Sequence, residues 1–292
     1  MESKAEQLMA EAEKSLKGFS LAKYFSGDKY EKARDKFTQA ATQYKACNNY
    51  AKAAKAYGRA ADMSRASKND VDVTTDLEDA ARCYVKANDT KTAADLYAQV
   101  LEQYEKGQMH IKAAKTCVSL SEITEGAAPI KWLEKASTYY RMQGSRASAD
   151  ELRQKVAEAK ARLGDYKGAR ELYELLARDT LNDAVLRSAA RKLFFMALLT
   201  QLATFTKENV MEDVAELRER FEEYQELDPQ FDHLTREHML VKAVIEAMEE
   251  ESVEKMEAAV MDYDKICVLD DLKEKMLLRA KQALVGRLHD LR

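Results

Sequence analysis

Four cysteines and four histidines are the side chains in this 292-residue sequence best suited to metal or redox chemistry, and their spacing supports neither. Cys47, Cys83, Cys117 and Cys267 stand far apart with no CxxC pair, so no zinc knuckle or thioredoxin-type dithiol can be read from them. Cys83 and Cys117 fall inside apolar helical patterns, where a free thiol acts as a small buried hydrophobe. His110, His233, His238 and His289 include no i,i+4 pair. His233 and His238 leave a helix on different faces and read as surface histidines, not zinc ligands. No GxxxxGK[ST] loop, GxGxxG turn or HExxH helix occurs, and no Ser or Cys has a nucleophile context. The expectation is a protein with no catalytic residues, no metal site and no cofactor, which acts by binding.

Binding then falls to charge and to exposed apolar groups. Lys112, Lys115, Lys155, Arg187, Arg191 and Lys192 are basic side chains able to line one face of the body, although each alone is also what a solvated helix would carry. Carboxylates are segregated. Residues 207–270 hold 20 acidic and 7 basic side chains, a net of −13, whereas 1–206 carry +6 and 271–292 carry +3. A mildly basic body with a strongly acidic segment near one end can present opposite potentials to two different partners. The overall charge of −4 argues against a nucleic-acid binder, which would show a basic excess.

The elements that must position these groups are helices. Only 9 Gly and 2 Pro occur, too few to punctuate a sandwich or barrel. Gly27, Asn48, Asn69, Asn88, Gly107, Gly126, Gly144, Gly164 and Asn182 follow one another at intervals of 18 to 21 residues. Each interval holds one helix and a short turn, so a helical pair repeats about every 40 residues, as in helical-hairpin solenoids. Small-then-aromatic pairs at i,i+4 recur at Ala33–Phe37, Ala53–Tyr57, Ala93–Tyr97 and Ala169–Tyr173. In a helix both members share a face: the alanine admits a neighbouring helix and the ring fills the adjacent gap. Ala40, Ala41, Ala60, Ala61, Ala113 and Ala114 suit the same close packing.

Beyond Asn182 the pattern changes. Residues 182–205 read as one long helix with a very apolar middle, followed by helical segments near 207–227, 232–250, 253–267 and 271–289, with a turn at Asp228-Pro229. The expected fold is all-α: a TPR-like helical-hairpin solenoid, a right-handed superhelix, closed by a carboxyl-terminal helical bundle that covers the last repeat. The expected layout is an amino-terminal helix and loop over 1–27, repeats over 28–206, and an acidic bundle with its tail over 207–292. The polar start lacks a signal-peptide core, and no apolar run reaches membrane-spanning length, so a soluble cytoplasmic setting is expected.

One connection is odd. Phe19, Leu21, Tyr24 and Phe25 crowd the stretch after Gly18, and apolar groups in a loop need burial or a purpose. Two readings stand: a plug for the open first repeat, or a shallow membrane-inserting loop with Lys23 meeting anionic lipid.

Three stretches resemble a known family. They are Leu269-Asp270-Asp271-Leu272-Lys273-Glu274-Lys275-Met276-Leu277-Leu278-Arg279 with the chain end Asp290-Leu291-Arg292, then Ala243-Val244-Ile245-Glu246-Ala247-Met248-Glu249-Glu250, and Met261-Asp262-Tyr263-Asp264. Ala10-Glu11-Ala12-Glu13-Lys14 and the loop ending Phe25-Ser26-Gly27 add to them. Together they are similar to the soluble NSF attachment proteins of the alpha type, over essentially the whole chain. That resemblance implies an adaptor that binds assembled SNARE complexes and recruits the AAA+ ATPase NSF, which disassembles them. It implies a free monomer, several copies per SNARE complex, and peripheral contact with membrane lipid through Phe19, Leu21, Tyr24 and Phe25. It implies that Lys115 faces the SNAREs, and the other basic residues named above are expected to line the same face. Asp213, Glu246, Glu249, Glu250 and Asp290 would meet the ATPase, and Leu291 would stimulate ATP hydrolysis. The sequence departs from the family at Glu151, a basic SNARE-facing position elsewhere, with Lys155 one turn onward. It also has Gly286-Arg287-Leu288-His289 where an acidic cluster usually precedes the tail. The competing reading is a general TPR-like scaffold or co-chaperone gripping a peptide carboxylate, which needs a compact Lys/Asn/Arg clamp that the repeats do not display.

Overall fold

The computed structural model describes residues 2–17, 26–183, 187–232 and 234–290. Among them are fourteen α-helices, one 3-10 turn and no strand. The chain divides into two compact units, Met1–Arg146 and Ala147–Arg292. That division falls within the stretch assigned to repeats on sequence grounds.

The first unit contains α1 (Glu2–Lys17), α2 (Ser26–Ala46), α3 (Tyr50–Ala66), α4 (Asp70–Lys86), α5 (Thr90–Lys106), α6 (His110–Ile123) and α7 (Ala128–Met142). Each packs on the next in chain order. Between α2 and α6 the turns repeat one design. Asn48, Lys68, Asn88 and Gln108 take positive φ, and the next residue returns its N–H to a carbonyl of the preceding helix, as in Asn49 to Tyr44 (2.9 Å) and Asn69 to Ser64 (2.9 Å). Asn49, Asn69 and Asp89 then cap the following helix by accepting from the backbone N–H of Lys52, Asp72 and Thr92. Of the expected turn markers, Asn69 is therefore a helix cap and Gly107 has an ordinary negative φ. Lys68 and Gln108 carry the left-handed step.

The packing follows the alanine pattern. Ala33, Ala53 and Ala93 are fully buried, with Phe37, Tyr57 and Tyr97 beside them, and Ala40, Ala41, Ala60, Ala61, Ala113 and Ala114 are likewise inaccessible. Small side chains let backbones approach, so this core is thin and tolerates little added volume. A buried carboxylate ties three helices together. Asp76 on α4 accepts from Arg34 Nε (2.8 Å) on α2 and from Ser64 Oγ (2.9 Å) on α3. The fork from Asp76 raises the Arg34 pKa.

The second unit contains α8 (Arg146–Arg162), α9 (Tyr166–Leu181), a 3-10 turn at Arg187–Ala189, α10 (Ala190–Leu202), α11 (Val210–Leu227), α12 (Arg236–Glu249), α13 (Val253–Asp264) and α14 (Asp271–Asp290). The long helix expected over 182–205 is shorter. Asn182 ends α9, its side-chain amide donating to Arg178 O at 3.2 Å, and helix resumes only at Ala190. Asn competes for backbone carbonyls and so terminates helices that apolar patterning alone would extend. α10 packs on α9, α11, α12 and α14, and Leu193, Phe194, Phe195, Leu198, Leu199 and Leu202 are buried along it. A helix apolar on every side is what a bundle centre requires. Cys83 and Cys117 are buried free thiols, and burial pushes the Cys117 pKa up to about 12, so it is inert at neutral pH. No described helix is long and apolar enough to cross a membrane.

Candidate functional site

α11 has an apolar face and a carboxylate face on opposite sides. Val210, Val214, Leu217, Phe221 and Tyr224, spaced 4-3-4-3, form its buried face. Glu212, Glu216, Glu219, Glu223 and Glu226 repeat that spacing two residues later. At 100° per residue the shift rotates them about 200°, so the glutamates form an exposed stripe opposite the core. Glu223 pairs with Arg178 of α9 at 2.6 Å, and among the described residues the other four have no ion-pair partner. Like charges at i,i+3 and i,i+4 each cost about 0.2–0.5 kcal/mol. The stripe thus works against the helix that carries it.

The end of α12 breaks a second local preference. Glu246, Glu249, the cap Glu250 and Glu251 gather where the helix dipole is negative and cations are favoured. Bases from neighbouring elements, and Lys242 of α12 itself, hold them. Arg218 of α11 forks onto Glu249 (Nε–Oε1 2.6 Å), Arg287 of α14 meets Glu251 at 2.7 Å, Lys255 pairs with Glu250, and Lys242 lies 3.8 Å from Glu246. Apart from the half-buried Arg287–Glu251 pair these are surface pairs, which contribute little and yield readily to competing charge. Asp213 lies in the first turn of α11. Burial, joined by Glu216 and Glu212, raises its pKa against the opposing effect of the Thr206 N–H. Asp290 ends α14 and accepts from Lys207 Nζ at 2.8 Å, with the lysine stem lying against Gly286. Leu291 lies outside the described residues, as do Phe19, Leu21, Tyr24 and Phe25.

The six candidate basic residues do not behave alike. Lys112 and Lys115, at i,i+3 on α6 in the first unit, are both exposed. Lys112 Nζ sits 5.4 Å from the Tyr104 ring centroid, and Lys115 has no ion-pair partner among the described residues. In the second unit Lys155 is exposed but paired with Glu151 at 3.1 Å, so the residue that departs from the family pattern draws on its neighbour's charge. Arg187 in the 3-10 turn and Lys192 on α10 are exposed. Arg191 is half-buried, with Nε 3.7 Å from Glu237 of α12, and serves the bundle.

His238 is buried, against the expectation of a surface histidine. It shares the 3-4-3 stripe of Val241, Ile245 and Met248 on the core side of α12. Its Nε2 lies 3.0 Å from Gln225 Oε1, and the Phe221 ring is 4.8 Å away. His233 lies outside the described residues. No group of three or more His, Cys, Asp or Glu among the described residues could hold a metal ion.

A family profile described as "Soluble NSF attachment protein, SNAP" matches residues 3–285. The chain belongs to the soluble NSF attachment protein family. Beta-soluble NSF attachment protein of Bos taurus is 31% identical over 293 residues, covering 98% of this chain and 95% of its own. Alpha-soluble NSF attachment protein of Homo sapiens is 30% identical over 301 residues, covering 100% of this chain and 98% of its own. A tetratricopeptide repeat protein from Parabacteroides merdae of known crystal structure aligns with 95% of this chain and 99% of its own, at 13% identity and a TM-score of 0.33.

Within this soluble NSF attachment protein family member, the sequence reading named Asp213, Glu246, Glu249 and Glu250 but passed over Glu212, Glu216, Glu219 and Glu226. The signal was present as the 4-3-4-3 echo of the apolar stripe. A net charge summed over 207–270 hid it, because a sum has no direction around a helix.

Proposed function

We propose that this chain is a non-enzymatic adaptor that binds assembled SNARE bundles and recruits an NSF-type AAA+ ATPase to pull them apart during vesicle fusion and trafficking. The observation that carries this reading is the largely unpaired glutamate stripe of α11 beside the carboxylates ending α12. A soluble helix gains nothing from carrying such charge at a cost to itself, whereas a basic partner surface is drawn to it and oriented by it. Glu212, Glu216 and Glu219 would then act with Asp213, Glu246, Glu249, Glu250 and Asp290 as the ATPase-facing set, and Leu291 would stimulate hydrolysis.

Lys112 and Lys115 would meet the SNARE bundle from the first unit, and Lys155, Arg187 and Lys192 from the second. Such contacts are individually weak and salt-sensitive, so binding would depend on several adaptor copies and on lipid contact by Phe19, Leu21, Tyr24 and Phe25. A cytoplasmic protein held peripherally on membranes follows.

The deciding experiment is ATP-driven disassembly of a purified SNARE complex by an NSF-type ATPase, with and without this protein. Disassembly is expected to require it. A rate unchanged by its addition would refute the adaptor role. Glu212→Gln/Glu216→Gln/Glu219→Gln should keep SNARE binding and lower the disassembly rate about tenfold at low salt, as expected when charge complementarity sets encounter.

A further inference from the structure

The last two helices leave an apolar groove that the charged surface does not explain. Met256, Leu269 and Leu277 form its buried floor, and Met261 and Leu278, 61% and 52% exposed, stand at its lip. Its volume is about 470 Å³. That is within the range of clefts that take a specific ligand, about 300–1,000 Å³. Ile266 and Val268, at 58% and 85% exposure, extend the apolar surface along the turn between the helices. Soluble surfaces rarely leave large apolar groups clustered in this way unless something covers them.

The charge around the groove selects what that something is. Its lining includes the carboxylates of Glu257, Asp264 and Glu274 and one base, Lys281, which is already paired with Glu257. Among the described residues Glu274 has no partner, and Asp264 accepts only the N–H of Leu269 at 2.8 Å. An anionic lipid surface or an acidic helix would be repelled here, whereas an apolar side chain flanked by Lys or Arg is matched at both ends.

The groove also opens near the acidic end of α12, its lining starting at Met256 and Glu257 a few residues after Glu251. Along α14, Arg287 meets Glu251, and Lys281, which meets Glu257, already lines the groove with Leu278 and Leu277. The six steps from Lys281 to Arg287 span about 9 Å at 1.5 Å per residue, less than the breadth of one protein contact patch.

We propose that the groove between α13 and α14 is an apolar socket for the same basic partner that the α11 and α12 carboxylates attract, receiving one large apolar side chain from it. The proposal rests on the reading of that acidic surface as the ATPase-facing one. Charge then governs encounter, and the socket governs how long the partner stays. The socket also secures a contact that salt does not weaken.

The test uses the full chain and the intact NSF-type ATPase, with affinity titrated at about 50 and about 300 mM salt to separate screened from unscreened contacts. The Met261→Ser/Leu278→Ser variant should bind about tenfold more weakly at both salts, the loss expected for a contact that anchors an interface. The Glu212→Gln/Glu216→Gln/Glu219→Gln variant should lose affinity mainly at low salt. Leu278→Arg, a change at an exposed position that sets a cation against the partner's own bases, should weaken binding further and guards against a serine variant that folds poorly. If the serine and arginine variants bind like wild type while the glutamine variant is weakened, the socket is wrong and the acidic surface stands. If wild type itself does not bind the ATPase, both fall. Loss of binding to anionic vesicles, with ATPase affinity intact, would also overturn the socket.

Discussion

The two units build their cores from opposite materials. In the first, alanines fill the positions between helices and single tyrosines or phenylalanines plug the gaps. In the second, α10 is sheathed in Leu and Phe, and Phe194 stacks on Tyr224 with ring centroids 4.3 Å apart. Helices that pack mainly on their sequence neighbours through alanine faces keep each contact thin, whereas a helix surrounded on all sides needs bulk. The surfaces differ in the same sense. The first unit answers many of its carboxylates with local bases, as Lys52 does for Glu2 and Glu6, while four of the five outward glutamates of α11 have no ion-pair partner among the described residues. Packing thus demands little charge asymmetry from either unit, and the asymmetry of the second is available for binding.

Three substitutions sharpen that contrast. The largest effect is expected from emptying the bulky core: Phe194→Ala should lower unfolding free energy by about 3–5 kcal/mol, read as a drop in the urea midpoint followed by circular dichroism. A small effect there would mean that α10 can collapse around the void and is not the centre of the bundle. Next comes filling the thin core. Ala60, fully buried among Ala12, Ala33, Phe37 and Met63, leaves no room for more atoms, so Ala60→Leu should cost about 1–3 kcal/mol in the same assay. A neutral result would show that the helices of the first unit can part without penalty.

The smallest effect concerns a single carboxyl. Because the folded-state pKa of Asp213 is raised, its stabilising contribution is present below the ordinary carboxylate pKa and is lost as pH rises through the raised value. Asp213→Asn should therefore raise the melting temperature slightly at neutral pH, with the gain vanishing in acid. A gain of equal size at all pH values would show that the burial of charge is not its cause.

Much of the fold was legible because helices write their packing at fixed spacing. The Ala–aromatic pairs at i,i+4 identified buried faces in both units, and the Asn and Gly intervals located the turns to within a residue or two. What stayed hidden depended on direction. His238 looked like a surface residue until α12 was seen to turn the stripe it shares with Ile245 and Met248 inward. Arg191 looked like a free base until Glu237 of another helix was found beside it. The groove lip formed by Met261 and Leu278 comes from two helices, and neither helix alone announces it.

The class of fold, the helical intervals, the family and the concentration of acid in 207–270 could all be read from residue order alone, because each depends on local pattern along the chain. Which carboxylates remain unpaired, which histidine is enclosed and where apolar surface is left uncovered emerge from the folded arrangement. Those outcomes depend on which faces of distant helices meet, and a helix's periodic pattern says which side is apolar without saying what will come to cover it.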